Sequence, residues 1–121
     1  MRENQTDTGE FCLTALDVHR ALVDSSVIRI QGGLRSPATT SVWRTVEKEL
    51  RRSPELVALD LSAVTDIDAA GLGVLMAAAD HAGESDISFC LIGADEGAVG
   101  TALAQADLTE LFEILPARTA P

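Results

Sequence analysis

Carboxylates that follow an apolar run are the residues of this chain with the most evident chemical potential. The run 56–59 leads into Asp60, and Asp66 and Asp68 come shortly after it. Asp60 and Asp66 could form an acid–base pair or bind Mg²⁺. However, the chain has no P-loop, G-x-S-x-G or H-E-x-x-H motif. We therefore predict no catalytic residue and no cofactor, and keep a small enzyme or nucleotide binder that uses Asp60 and Asp68 only as a minor alternative.

Other reactive side chains give equally little support for catalysis or metal binding. A phosphate-accepting receiver domain would need a lysine near its end, but the only lysine, Lys48, lies within a predicted helix. His19 and His81 are far apart and have no neighbouring ligand cluster, so we expect no metal site. Cys12 and Cys90 lie in separate apolar runs, and we expect buried free thiols in a reducing compartment.

Composition restricts the class of protein and of partner. The chain has 121 residues, of which 46% are hydrophobic, so it is expected to fold as one domain. Its net charge of -10 argues against nucleic acid or an anionic membrane as partner. No apolar run could span a bilayer and no signal peptide is evident, so we expect a soluble cytoplasmic protein, a monomer or weak dimer. We predict a flexible segment 1–10, a domain 11–115 and a loose tail 116–121.

Apolar periodicity predicts strands that alternate with helices. The predicted strands are 11–16, 27–31 (ended by Gly32 and Gly33), 56–61, 87–92 and a short 111–114. The predicted helices are 36–52, with Ser36 as the N-cap and Pro37 in the first turn, about 70–81, ended by Gly83, and a third within 93–106. An initial hairpin followed by this alternation predicts an α/β fold with a mostly parallel or mixed sheet.

The segment 60–75, DLSAVTDIDAAGLGVL, resembles the STAS domain family of sulfate transporters and anti-sigma factor antagonists. The family signature is an apolar strand ending in Asp-Leu-Ser, a short loop, then Asp-Ser-Ser-Gly or Asp-Ser-Thr-Gly followed by Leu-Gly-Val-Leu. A looser resemblance extends over most of 27–115. It implies a STAS-like mixed β-sheet of about four to five strands, with three or four helices mainly on one face, in a single-domain antagonist.

The resemblance also implies a function in transcription regulation. Family members bind an anti-sigma factor that is also a serine kinase, which releases a sigma factor, and phosphorylation of a serine at the start of the helix breaks the complex. In this chain Ala70 occupies the position of that serine and Ala69 the position before it. Arg35 stands where the family has aspartate. We therefore expect an antagonist-like protein that binds such an anti-sigma factor, is not an enzyme and is non-phosphorylatable at Ala70.

Small residues on the predicted helix suggest where a partner would bind. Ala70, Gly73 and Ala77 fall on one stripe, whose small side chains would let another backbone approach closely. A second stripe, predicted to be core, contains Leu72, Leu75, Met76 and Ala79. The predicted partner-binding residues are Asp68, which should also cap the helix, Ala69, Ala70, Gly71, Gly73, Ala77, Arg35 and Ser36.

Phosphorylation at another hydroxyl and a role as a scaffold remain open as alternatives. The hydroxyls of Ser36, Ser62 and Thr65 lie near the same junction, and we expect them to make caps and loop hydrogen bonds rather than to be phosphorylated. The chain could instead be a non-enzymatic scaffold subunit of a larger regulatory or lipid-transport assembly, in which STAS domains also occur.

Overall fold

The computed structural model describes residues 15–20 and 24–116. The strands are β1 (Ala15–Arg20), β2 (Ser25–Leu34), β3 (Leu56–Ile67), β4 (Ser88–Ile92) and β5 (Ile114–Leu115). The helices are α1 (Ala38–Arg51), α2 (Ala69–Glu84) and α3 (Gly97–Gln105), and a 3₁₀ turn spans Thr109–Leu111. Segments 1–14 and 117–121, which include most of the predicted first strand and both predicted terminal segments, lie outside the described residues, apart from Pro116.

All five strands form one sheet in chain order, β1-β2-β3-β4-β5. β1 pairs antiparallel with β2, and the remaining neighbours pair in parallel. α1 packs against β2 and α2, α2 also contacts β3 and β4, and α3 packs mainly against β3. The predicted α/β class, with a mixed five-stranded sheet and three helices, is confirmed.

The helix-covered face of the sheet carries the core. Ile28, Leu59 and Leu91 are register partners on the three central strands, and all three side chains are fully buried. β2 alternates as predicted, since Ile28 and Ile30 are buried whereas Arg29 and Gln31 are exposed. The helices pack onto this row, with Val42, Val46 and Leu50 of α1 and Val74, Leu75, Ala78 and Ala82 of α2 buried.

A buried polar pair joins α1 to β2. The Ser26 hydroxyl donates a hydrogen bond of 2.8 Å to Oε1 of Glu49, whose residue is 2% exposed. The guanidinium of Arg52 lies 3.9 Å from the same oxygen. Because a buried carboxylate is costly without such partners, this pair restricts how α1 can pack on β2.

Strands β2 and β3 are longer than predicted. β2 continues through Gly32 and Gly33 to Leu34, and β3 continues to Ile67, six residues beyond its predicted end. Register shifts near Gln31 and Gly33 keep the two strands paired beyond their regular ladder. Whether a Gly-Gly pair forms a turn or lies within a bulged strand depends on tertiary pairing. The pair alone therefore did not predict where β2 ends.

Helix boundaries also differ from the predictions. α1 begins at Ala38, and the cap position is Pro37 rather than Ser36, with no side-chain hydrogen bond. α2 runs one residue past Gly83, because a glycine is tolerated in the last turn of a helix. The last strand is 114–115 rather than 111–114, since Thr109–Leu111 forms the 3₁₀ turn.

Truncation of a side chain in the central row tests this core. Leu59→Ala should lower the free energy of unfolding by about 2–5 kcal/mol, because it leaves a cavity in the centre of the core. The same change at exposed Leu111 is the matched control and should cost less than about 0.5 kcal/mol. Urea denaturation measures both, and equal losses would contradict the assignment of β3 to the centre of the core.

Candidate functional site

The carboxyl ends of β2 and β3 lie side by side and define the candidate site. Leu34 and Ile67, the last residues of these strands, are register partners. The loop from β2 into α1 therefore meets the start of α2 at one edge of the sheet. This edge is where parallel α/β folds place their binding residues.

Asp68 connects the two loops through its carboxylate. Its side chain caps α2, as predicted, by accepting a hydrogen bond of 2.8 Å from the Gly71 N–H. The other carboxylate oxygen accepts a 3.2 Å hydrogen bond from the backbone N–H of Ser36. The N–H of Asp68 itself donates to the carbonyl of Leu34 at 3.4 Å. A single side chain thus holds the start of α2 against the β2–α1 loop.

These hydrogen bonds also affect the ionisation of Asp68. The donor of largest effect is the Gly71 N–H, and the N–H groups of Ser36, Asp68 and Ala70 add to it, so the pKa of the Asp68 carboxyl is lowered. Partial desolvation opposes this change without reversing it. Asp68 is therefore held as a carboxylate, which suits a cap and not a general acid.

Gly71 is buried, which corrects its predicted place on the partner surface. A Cβ atom at this position would overlap the carbonyl oxygen of Leu34 and would lie 2.7 Å from Cγ1 of Ile67. Glycine is needed here because the first turn of α2 touches the ends of both strands. Its role is internal packing.

The exposed face of α2 begins with small residues. Ala69, Ala70, Gly73 and Ala77 are all exposed, and a Cβ at Gly73 would meet no atom within 4 Å. We call Ala69, Ala70 and Gly73 the helix-start surface. Met76, predicted to be core, is 44% exposed, because the buried face of α2 is centred on Val74, Leu75 and Ala78 instead.

Arg35 and Ser36 lie next to the helix-start surface, and both are exposed. Arg35 forms a 3.3 Å ion pair with Asp66, in which both side chains are about half exposed. Such a pair contributes about 0–1 kcal/mol. A small cleft of about 170 Å³ lies between the β2–α1 loop and the end of β3, and the exposed Thr65 lines it. The predicted charge reversal at Arg35 is thus balanced locally by Asp66.

The carboxylate pair that was considered for acid–base chemistry does not form. Asp60 and Asp66 belong to the same extended strand, and six residues at ~3.3 Å each separate them by about 20 Å. Asp60 instead accepts hydrogen bonds from the N–H and the hydroxyl of Ser62, at 3.1 and 2.6 Å. Ser62 therefore makes a local bond, as expected. Among the described residues, no three metal-ligating side chains form a group.

Two other observations concern thiols and membranes. Cys90 is a buried free cysteine, as predicted, and burial, with a smaller effect of Glu113, raises its thiol pKa. Cys12 lies outside the described residues. Over the part of the chain that the structure describes, no helix is long and apolar enough to cross a bilayer.

One surface feature was not predicted from the sequence. A groove lies between the second half of α2 and the segment around Leu111 and Phe112. The sequence indicated only that 111–114 is apolar, and that pattern was interpreted as a strand. The packing of the 3₁₀ turn near α2 is a tertiary contact with no local signal.

Comparisons with known proteins agree on the fold. The family model described as "Mlab, STAS domain" matches residues 19–116. An anti-sigma factor antagonist from Mycobacterium paratuberculosis superposes with a TM-score of 0.75 at 21% identity, over 86% of each chain. TM1081 of Thermotoga maritima superposes with a TM-score of 0.72 at 19% identity, over 88% of this chain and 89% of its own. The unphosphorylated antagonist SpoIIAA of Bacillus superposes with a TM-score of 0.72 at 13% identity, over 86% of this chain and 89% of its own. No curated sequence matches significantly.

Glycine-to-alanine changes within α2 test the close contact at its start. Gly71→Ala should lower the free energy of unfolding by about 1–3 kcal/mol or more, because its Cβ overlaps backbone. Gly83→Ala is the matched control and should raise stability by about 0.5–1 kcal/mol, since its Cβ would enter open space in the same helix. Thermal or urea unfolding reports both. A neutral Gly71→Ala would argue against the contact with Leu34.

Acid unfolding tests the cap. Because the pKa of Asp68 is lower in the folded than in the unfolded chain, its stabilisation is complete above the unfolded-state pKa and is lost as the pH falls through the folded-state value. Asp68→Ser keeps a capping oxygen that does not titrate, so stability should fall less steeply with acid than in the wild type. Asp68→Ala should be less stable than Asp68→Ser throughout. An unchanged acid limb in Asp68→Ser would contradict this role.

Proposed function

Because this chain belongs to the STAS domain family, we propose that it is a non-enzymatic regulatory domain of the anti-sigma factor antagonist type. Its partner is an anti-sigma factor of the serine-kinase type, and binding releases a sigma factor in the cytoplasm. The observation that carries this proposal is the helix-start surface, which is exposed, uncharged and small.

The structure supports a role for this surface in binding. Asp68 directs its carboxylate to the N–H groups of Gly71 and Ser36, so the charge at the helix start is used within the domain. Ala69 and Ala70 then present only methyl groups, and Gly73 presents backbone. Small side chains permit a close approach of a partner backbone, and little side-chain entropy is lost on binding.

Ala70 makes the complex permanent in this proposal. A phosphoserine at this position would add about -1.5 to -2 charges at neutral pH and would disrupt an apolar contact. Ala70 and Ala69 have no hydroxyl that could accept a phosphoryl group. The antagonist therefore lacks the residue at which the kinase would usually phosphorylate it, and it stays competent to bind.

A scaffold subunit of a larger regulatory or lipid-transport assembly is the second candidate function. A permanent subunit needs no phosphorylation switch, and Met76 and Leu111 expose apolar surface beyond the helix start. Light scattering on the natively purified complex separates the two functions. A stable assembly of fixed stoichiometry without a kinase would favour the scaffold.

A charge placed on the helix-start surface tests the proposed interface. Ala70→Asp should weaken capture of the kinase-type anti-sigma factor from native cytoplasm at least about tenfold, since it imitates the phosphorylated state. An acidic residue in the first turn of a helix does not destabilise it, so the loss would not reflect unfolding. Ala104→Asp, on the exposed face of α3, is the matched control and should bind normally. Equal capture by both variants would contradict the interface.

Introduction of the missing hydroxyl tests the absence of the switch. Incubated with the captured kinase and ATP, Ala70→Ser should gain one phosphate by intact mass and then release the partner. The wild type and the control Ala104→Ser should remain unmodified. Stoichiometric phosphorylation of the wild type, at Thr65 or another hydroxyl, would show that the protein is switched elsewhere.

A further inference from the structure

The groove between α2 and the 3₁₀ turn is a surface feature that the proposed kinase interaction does not use. It has a volume of about 510 Å³ and is lined by Met76, Ala77, Ala79, Asp80, Leu111 and Phe112. We call it the α2 groove. Met76 is 44% exposed and Leu111 is 64% exposed. Large apolar side chains exposed together in one concave surface are typical of an interaction site.

The walls of the α2 groove are held by the fold. One wall is the middle of α2, whose opposite face is core. The other wall is anchored by Phe112, which is 9% exposed and belongs to the hydrophobic core. The turn that carries Leu111 is held by backbone hydrogen bonds from Leu108 N–H to Leu103 and from Leu111 N–H to Leu108, at 2.8 and 3.0 Å. A ligand would therefore find the groove already formed.

One carboxylate, Asp80, lines the α2 groove, and three more lie near lining residues along the chain. Asp80 and Glu84 follow one another by one turn of α2, and Glu110 and Glu113 flank the lining residues of the other wall; all four are exposed. The segment 53–117 contains no lysine or arginine. Within the described part of the chain, none of these four carboxylates forms an ion pair. Their charges are therefore available to a partner.

We propose that the α2 groove binds a basic amphipathic helix of another protein. Apolar side chains spaced at i, i+4 and i+7 would enter the groove between Met76 and Leu111, and flanking lysines or arginines would face the carboxylates. This inference goes beyond the proposed function, because it uses neither Ala70 nor a kinase. An acidic segment or a nucleic acid would be repelled by the same carboxylates.

A second copy of the chain fits the groove poorly. Its basic helix is α1, which carries Arg44, Lys48 and Arg51. However, Val42, Val46 and Leu50 of α1 are buried in the core of their own domain, and Trp43 is partly buried and packs against that core. α1 could therefore offer charge to the groove but no fully exposed apolar side chain to fill it.

The chain provides its own reporter for this site. It has two methionines, Met1 and Met76, so the full-length protein labelled with ¹³C at the methionine methyl groups has a reporter inside the groove. Met76→Leu assigns its signal. The probe is a designed helical peptide with leucines at i, i+4 and i+7 and lysine or arginine at its other exposed positions. A control peptide keeps the leucines and replaces the basic residues by glutamate.

The basic peptide should shift the Met76 methyl signal saturably, with an affinity that falls as salt is added, and the acidic peptide should not. Leu111→Gln should weaken binding at least about fivefold. Leu115→Gln is the matched control, because Leu115 is 43% exposed but does not line the groove, and it should change the affinity less than about twofold.

Three results would overturn the proposal. Failure of both peptides to shift the Met76 signal would exclude helix binding, and equal binding of both would exclude the role of charge. A Met76 signal that shifts with protein concentration alone would show that a second copy fills the groove. Ala70→Asp should leave peptide affinity within about twofold, so that a failure here is distinguishable from a failure of the kinase interaction.

Discussion

The contact between the first turn of α2 and the end of β2 is the constraint on which the rest of this site depends. Gly71 allows the helix to lie against the carbonyl of Leu34, and Asp68 holds it there through the N–H groups of Gly71 and Ser36. Removal of either would move the helix away from the strand ends. This contact fixes where α2 starts, and the packing of its buried face then sets which surfaces of the helix are exposed.

Use of the Asp68 charge inside the domain has a functional consequence. A helix start normally attracts anions because its N–H groups are unsatisfied. Here the carboxylate of Asp68 occupies that position, and Ala69 and Ala70 add no polar group. The surface is then suited to a close apolar contact. In the proposed function, this surface binds a protein partner, and Ala70 provides no hydroxyl that could be phosphorylated.

Charge is unevenly distributed along the chain, which explains why the two surfaces of α2 differ. Lysine and arginine are absent from 53–117, so the second half of the domain is uniformly acidic, whereas α1 is basic on its exposed side. The helix-start surface carries no charge, and the carboxylate of the neighbouring Asp68 is hydrogen-bonded within the domain. The α2 groove, in contrast, combines apolar walls with free carboxylates. One helix therefore offers a neutral contact at its start and a charged one in its second half.

The sequence by itself determined the fold class, the Asp68 cap and the alternation of strands with helices, because these depend on local periodicity and on a hydrogen bond within one turn. Only the tertiary structure decided that Gly71 is buried, that Met76 is exposed and that the strands run through Gly32–Gly33 and Ser62–Ile67. Those features depend on which residues of distant segments meet. Periodicity shows that a helix has an apolar face, but the exact orientation of that face is fixed by its neighbours.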